Sequence, residues 1–356
     1  MSTVPTRRLI GWAEAQPPLF VGIDLGGTSI KLGVVDDLGR PLFAHSLPTH
    51  VDRGPEDAAS RMGAAVRAAL AELGPGESAV ARVGLGSPGV LDLHHGVMVN
   101  PTNFPGWGGF ALRDRLSAHC GLPVAFVNDA NAAAYGEYWV GSGRSFHSLI
   151  LLTLGTGVGC GIILGDLIVE GENGLGAECG HILIDPAPNA RRCSCGQTGH
   201  LEAYASATAV IQRTEEAIAS GRPTSLARSL AEGAALTPLR VAEEAENGDP
   251  LALEIVMETA RYLGLGIVSL VHTIDPTGVL LGGAMTFGGR CTALGRRFLA
   301  HVDAVVRRHT FPTVAERLRI DFASLGTDAG FIGAAGIARL EHLGLRKLPS
   351  KPPDPT

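Results

Sequence analysis

Between Gly174 and Glu202 the chain reads Gly-Leu-Gly-Ala-Glu178-Cys-Gly-His181, a polar loop, and then Cys193-Ser-Cys195-Gly-Gln-Thr-Gly-His200-Leu-Glu202. Thiolate and imidazole are the donors that tetrahedral zinc prefers. Cys193 and Cys195 lie close to His181 and His200 here, bracketed by the carboxylates Glu178 and Glu202. The pattern points to a structural zinc that pins a loop, so that Glu178, His181 and Glu202 face one small polar ligand.

Three glycine turns form a second group. Gly26-Gly27-Thr28 follows Asp24, Gly155-Thr156-Gly157 follows Leu154, and Gly282-Gly283 follows an apolar run. Glycine lets backbone N–H groups approach an anion closely. One such turn usually only joins strands; two in matching positions, with a third, could hold a nucleotide phosphate chain. No Walker A sequence occurs, which argues against a P-loop; Gly84-Leu-Gly-Ser-Pro-Gly89 meets the G-x-G-x-x-G spacing once, and that match alone is a weak sign of dinucleotide binding. Asp24 could position hydrated Mg²⁺ or simply form its turn. Asp129, at the end of an apolar run, could accept a proton from a substrate hydroxyl or cap the helix after it. Asn128 is its natural partner for a polyol. Ser87-Pro88-Gly89 is not a nucleophile elbow, because position 85 is Leu.

The elements that must carry these residues alternate. Strands are expected at 19–23, 30–35, 41–47, 79–85 and 123–127, with helices at 55–73, 110–119 and 130–138. The pattern restarts with strands at 149–154 and 158–164, and a further one within 166–169. Helices follow at 201–219, 250–272, 290–308 and 329–343, with strands at 279–281 and 318–322. The 185–192 loop has few apolar residues, so a metal would hold most of it. The glycines between 155 and 165 favour two strands over a membrane helix across the uncharged 148–165 run.

The whole chain has 356 residues, 45% of them hydrophobic, and a formal net charge of −6. That length suits two domains. No basic run marks a nucleic-acid surface. Lys31 is the only lysine before Lys347, so a lysine nucleophile has one candidate. Cys120, Cys160, Cys179 and Cys291 read as buried free thiols in a reducing, cytoplasmic compartment. Residues 1–16 lack a signal peptide's apolar core.

In order and spacing, Asp24-Leu-Gly-Gly-Thr28, Gly86-Ser-Pro-Gly89, Asn103-Phe-Pro-Gly-Trp107, Val127-Asn-Asp-Ala-Asn131, Leu154-Gly-Thr-Gly157, Gly176-Ala-Glu-Cys-Gly-His181, the Cys193–Glu202 stretch and Leu281-Gly-Gly283 resemble the ROK family of sugar kinases and sugar-sensing repressors. The resemblance spans roughly residues 19 to 343. It implies an α/β fold of two similar actin-like ATPase (ribonuclease H-like) domains with a cleft between them. The expected domains are 19–141, joined by the returning helix 329–343, and 142–328, which contains a zinc loop at 179–200. An extension at 1–18 and a disordered tail at 344–356 flank them.

The resemblance further implies ATP-dependent phosphorylation of a hexose 6-hydroxyl, as in a bacterial glucokinase. N-acetylglucosamine or N-acetylmannosamine is the alternative substrate, and polyphosphate an alternative donor. A non-catalytic sugar-sensing regulator is the weaker alternative, because the DNA-binding module of such relatives does not fit within residues 1–18. Asp129 would be the base. Gly89, Asn103, Asn128, Glu178, His181 and Glu202 would contact the sugar. Asp24, Gly26, Gly27, Thr28, Gly155, Thr156, Gly157, Gly282 and Gly283 would hold ATP and Mg²⁺. His181 would place one ring nitrogen on zinc and the other toward the sugar, with Cys193, Cys195 and His200 completing the metal site. The family usually has a third cysteine where this chain has His200. No nucleic-acid or membrane partner is implied, and a homodimer or homotetramer is.

Overall fold

The computed structural model describes residues 8–74, 79–99, 101, 103–231 and 233–346. Residues 1–7 of the expected extension and 347–356 of the expected tail lie outside these. The described chain divides into two compact units. One holds the residues up to His147, residues 161–177 and those from Ser324 onward; the other holds Ser148–Cys160 and Glu178–Ala323.

The first unit begins with a meander, β1 (Leu19–Leu25), β2 (Ser29–Val35) and β3 (Pro41–Pro48). Then come α1 (Pro55–Leu73), β4 (Val80–Ser87), the small pair β5 (Leu91–Asp92) and β6 (Val97–Met98), α2 (Leu112–Cys120), β7 (Val124–Asn128) and α3 (Asp129–Trp139). The sheet order is β3-β2-β1-β4-β7, with β1, β4 and β7 parallel. Parallel strands deliver their carboxyl ends to one edge of a sheet, where ligands of such folds bind. The apolar face of α1, including Met62 and Val66, packs with Leu85, Ile23 and Phe126 into one core.

The second sheet runs β10-β9-β8-β11-β12. Its strands are β8 (Ser148–Leu154), β9 (Val158–Leu164), β10 (Leu167–Ile168), β11 (Gly278–Gly282) and β12 (Arg319–Phe322). The helices are α4 (Glu202–Ala205), α5 (Ala207–Ala219), α6 (Ser225–Ala231), α7 (Pro238–Glu246), α8 (Pro250–Ile274), α9 (Ala293–His309), α10 (Pro312–Arg317) and finally α11 (Ala329–His342). Among the described residues no helix is long and apolar enough to cross a membrane.

Several elements differ from the sequence expectation. The helix expected at 201–219 breaks at Ser206, whose side chain caps α5 by accepting from Ala209 N–H. The one expected at 290–308 starts at Ala293, because Thr292 accepts from Gly295 N–H. Helices α6, α7 and α10, of 7, 9 and 6 residues, are too short to be recognised from apolar spacing, which needs a window of about 11–18 residues. Cys291 is exposed rather than buried. Residues 10–16, expected to be loose, are tied down: Ile10 N–H donates to Pro41 O, and Gln16 N–H to Asp36 Oδ2 at 3.1 Å.

Helix α11 returns to the first unit and packs on α3, β1 and β4. Glycine makes the close approach possible. A Cβ at Gly22 would lie 1.7 Å from Phe331 O, and one at Gly84 1.8 Å from Ala334 O. The return is clamped by Glu137 of α3, which is fully buried. Its Oε1 accepts from Ser324 and Leu325 N–H at 2.8 and 2.6 Å, and its Oε2 from Ser142 N–H at 2.9 Å. Glu137→Gln turns an amide NH₂ against the Ser142 donor, and a buried unsatisfied donor costs about 1–3 kcal/mol. The expected result is that loss of stability in urea unfolding; an unchanged midpoint would show that the clamp carries no weight.

Candidate active site and metal centre

In the first unit the register sets a row of polar groups at one sheet edge. Asp24 of β1 lies opposite Gly86 of β4, and Ser87 opposite Asn128 of β7. Asp129 follows directly as the first residue of α3. The sequence leaves it as either base or helix cap; Asn128 supplies the cap, since its Oδ1 accepts from Ala130 and Asn131 N–H at 2.9 and 3.2 Å. Asp129 Oδ1 also accepts from Ala130 N–H, at 2.8 Å. The Asn128 amide donates to Gly89 O at 3.3 Å, which brings two expected sugar contacts together. Gly89 has φ +82°, a left-handed conformation suited to glycine. Asn103 sits exposed on a turn held by the buried rings of Phe104 and Trp107, 4.9 Å apart.

Asp24 is half-buried beside the 26–28 turn. Burial raises its carboxyl above the usual range, and Lys31, its partner across β2, pulls it back. Thr49 Oγ1 donates to Gly26 O at 2.6 Å, bracing the turn. A Cβ at Gly27 would meet no protein atom within 4 Å. Packing therefore gives no reason for glycine there.

The second unit holds the other two glycine turns against each other. Gly282 lies opposite Thr153, and Met285 N–H donates to Leu154 O at 3.0 Å. Gly283, at φ +88°, would place a Cβ 2.3 Å from Leu154 O, so close packing alone requires it. Gly155 faces open space like Gly27. Gly157 instead makes room for Glu202: a Cβ there would sit 2.3 Å from its Oε2.

His181, Cys193, Cys195 and His200 each offer a donor atom, all within 4.8 Å of one another. Cys193 Sγ lies 3.6 Å from His181 Nδ1, and Cys195 Sγ 3.3 Å from His200 Nδ1. Zinc bonds of about 2.0–2.3 Å give tetrahedral edges of roughly 3.3–3.8 Å. The donor set therefore fits a Cys₂His₂ ion. A tight turn presents the thiols, with Cys193 N–H donating to Gln197 O at 2.8 Å. Burial pushes the Cys193 thiol up to about 11; a bound cation reverses such a shift by favouring the thiolate. Burial, then the neighbouring His181, lowers His200 toward the neutral imidazole that ligation needs. His181 turns its Nε2 the other way, 3.9 Å from Glu178 Oε2. Burial raises the Glu178 carboxyl, His181 lowers it and Glu202 raises it again.

The 185–192 loop has more support than its composition promised. Tyr204 O–H donates to Asp185 Oδ2 at 2.5 Å and accepts from Arg191 N–H at 2.8 Å. Arg191 also forks onto Glu216 at 2.9 and 2.7 Å. Tyr204 and Ser194 were not singled out from the sequence. Nothing local marks them, because their partners are 19 and 8 residues away.

Comparisons with known proteins agree. The ROK family model matches residues 20–341. A glucokinase of Halalkalibacterium halodurans is 33% identical over 328 residues, covering 92% of this chain and 97% of the relative. The crystal structure of a ROK hexokinase from Thermus thermophilus aligns with TM-score 0.76 at 34% identity, over 92% of this chain and 99% of that one. That of a ROK family glucokinase from Streptomyces griseus, in complex with glucose and AMPPNP, aligns with TM-score 0.73 at 34% identity, over 90% and 99%. With its paired α/β sheets, glycine turns and Cys/His cluster, the chain belongs to the ROK family, whose kinases have a two-domain actin-like ATPase fold.

Proposed function

We propose that this protein is an ATP-dependent hexose kinase that phosphorylates the 6-hydroxyl of glucose. The observation that carries the reading is the division of labour at the first sheet's edge. Asn128 caps α3, so the need for a cap does not account for the carboxylate at Asp129. Asp129 takes the proton of the 6-hydroxyl as its oxygen bonds to the γ-phosphorus and the bond to the ADP oxygen breaks. Such transfers ask the protein for positioning and charge stabilisation more than covalent chemistry. Gly89, Asn103, Asn128, Glu178, His181 and Glu202 are the proposed contacts for the sugar hydroxyls. Asp24 places hydrated Mg²⁺, which neutralises phosphate charge when bound. A zinc on His181, Cys193, Cys195 and His200 is structural, since protein fills all four positions. Its contribution is to fix the tautomer and orientation of the His181 ring. A coupled assay with ATP tests the reading across glucose, N-acetylglucosamine, N-acetylmannosamine, mannose and fructose. Glucose should give the highest kcat/KM, and a preference for either N-acetylhexosamine would overturn the assignment.

The turns at 26–28 and 155–157, with Gly282-Gly283, are the proposed phosphate contacts. Gly27 gives a clean probe, because a Cβ there meets no protein atom within 4 Å. Displacing the phosphate by about 1 Å can cost up to roughly 10²-fold. Gly27→Val should therefore raise the KM for ATP by on the order of tenfold, with glucose affinity and stability nearly unchanged. An unchanged KM for ATP would remove this turn from the phosphate site.

A further inference from the structure

Glu202 is held at both ends. Its Oε2 accepts from Val158 N–H at 3.0 Å, immediately after the 155–157 turn. Its Oε1 accepts from Ser194 Oγ at 2.5 Å, between the two cysteines of the metal cluster. Cys193 Sγ is also near Oε1, at 3.7 Å, and the Ser194 hydroxyl makes the shorter contact to this oxygen. Just beyond Glu202, Ala207 N–H donates to Gly155 O and Thr208 Oγ1 to Thr156 O, both at 2.9 Å. The glycine turn is thus tied by its following amide and two of its carbonyls to the segment 202–208. That segment begins two residues after the proposed ligand His200.

We propose that Ser194 is a positioning residue: its hydroxyl locks Glu202 between the Cys193–Cys195 turn and the 155–158 turn, so that the metal loop sets the geometry of the nucleotide phosphate turn. The proposal rests on the reading of 155–157 as a phosphate contact. A carboxylate bonded at one oxygen only can rotate about its last torsion, which is broad. Held at both oxygens, it transmits the position of one loop to the other. The sequence shows no sign of this, because Ser194 occupies the variable position of a Cys-x-Cys. Gly157 fits the same picture, as any side chain there would collide with Glu202 Oε2.

The test is calorimetric binding of Mg²⁺-AMPPNP to the zinc-loaded full-length protein. It compares wild type, Ser194→Ala and Ser194→Thr, with metal content measured on each. Losing a group that orients a functional side chain costs about 10-fold or more. Ser194→Ala should weaken AMPPNP about tenfold, keep its metal, and be restored by Ser194→Thr, which retains the hydroxyl. A merely structural loss would lower metal content or stability and would not be rescued in this pattern. Wild-type AMPPNP affinity in a metal-loaded Ser194→Ala would overturn the coupling, even if glucose affinity fell. Binding of AMPPNP is read without turnover. A wild type that binds it yet phosphorylates no hexose therefore sinks the kinase reading alone. A wild type that binds no AMPPNP sinks the coupling.

Discussion

Asp129→Asn is expected to lower kcat by about 10²–10⁴-fold, the usual contribution of a general base, while calorimetric glucose affinity stays close to wild type. Asparagine keeps the shape and the Oδ1 acceptor that Ala130 N–H uses. The cap on α3 is untouched, because it comes from Asn128. What asparagine lacks is an oxygen that can take the 6-hydroxyl proton. If the carboxylate served the helix alone, its replacement at the first helical position would cost about 0.3–1 kcal/mol through the helix dipole and leave kcat nearly intact. Near-wild-type kcat in a variant that binds glucose would rule Asp129 out as the base.

Removing the metal should have the next largest effect. Elemental analysis should find one zinc per chain in the wild type and none in Cys195→Ala or His200→Ala. Glucose affinity should fall by about 10–100-fold in both, the usual cost of disturbing a metal site and its supports. His181 links the two outcomes, since its Nδ1 faces the cluster and its Nε2 faces Glu178. Freeing the ring lets it rotate, and Glu178 loses the neighbour that favours its charged form. The 185–192 loop should remain in place, because Tyr204 and Glu216 hold it independently. Global stability should therefore fall less than sugar affinity does. A metal-free wild type would reject the zinc site. Loss from Cys195→Ala alone would make His200 a bystander.

Much of this protein is legible before folding. Glycine turns after apolar runs, the Cys-x-Cys with its histidines and the carboxylates beside them are local patterns. Each follows from chemistry within a few residues: close backbone approach for glycine, soft donors for zinc. The two meanders followed by helix-strand alternation are likewise periodic in sequence, and they appear as the sheets β3-β2-β1-β4-β7 and β10-β9-β8-β11-β12. What the sequence could not assign is the use of groups that serve two purposes. Asn128 and Asp129 are both good caps, and only the β7–α3 geometry gives that task to Asn128. Gly27 and Gly157 read alike, yet one faces open space and the other makes room for Glu202. Glu137, Ser194 and Tyr204 carry no motif. Glu137 matters because the chain returns 187 residues later to place Ser324 N–H against it. Hydrogen bonds between distant residues leave no trace in periodicity or spacing, because the partners meet only when the sheets and helices have packed. Tertiary structure therefore decides which side chain caps a helix and which carboxylate is spent holding the fold.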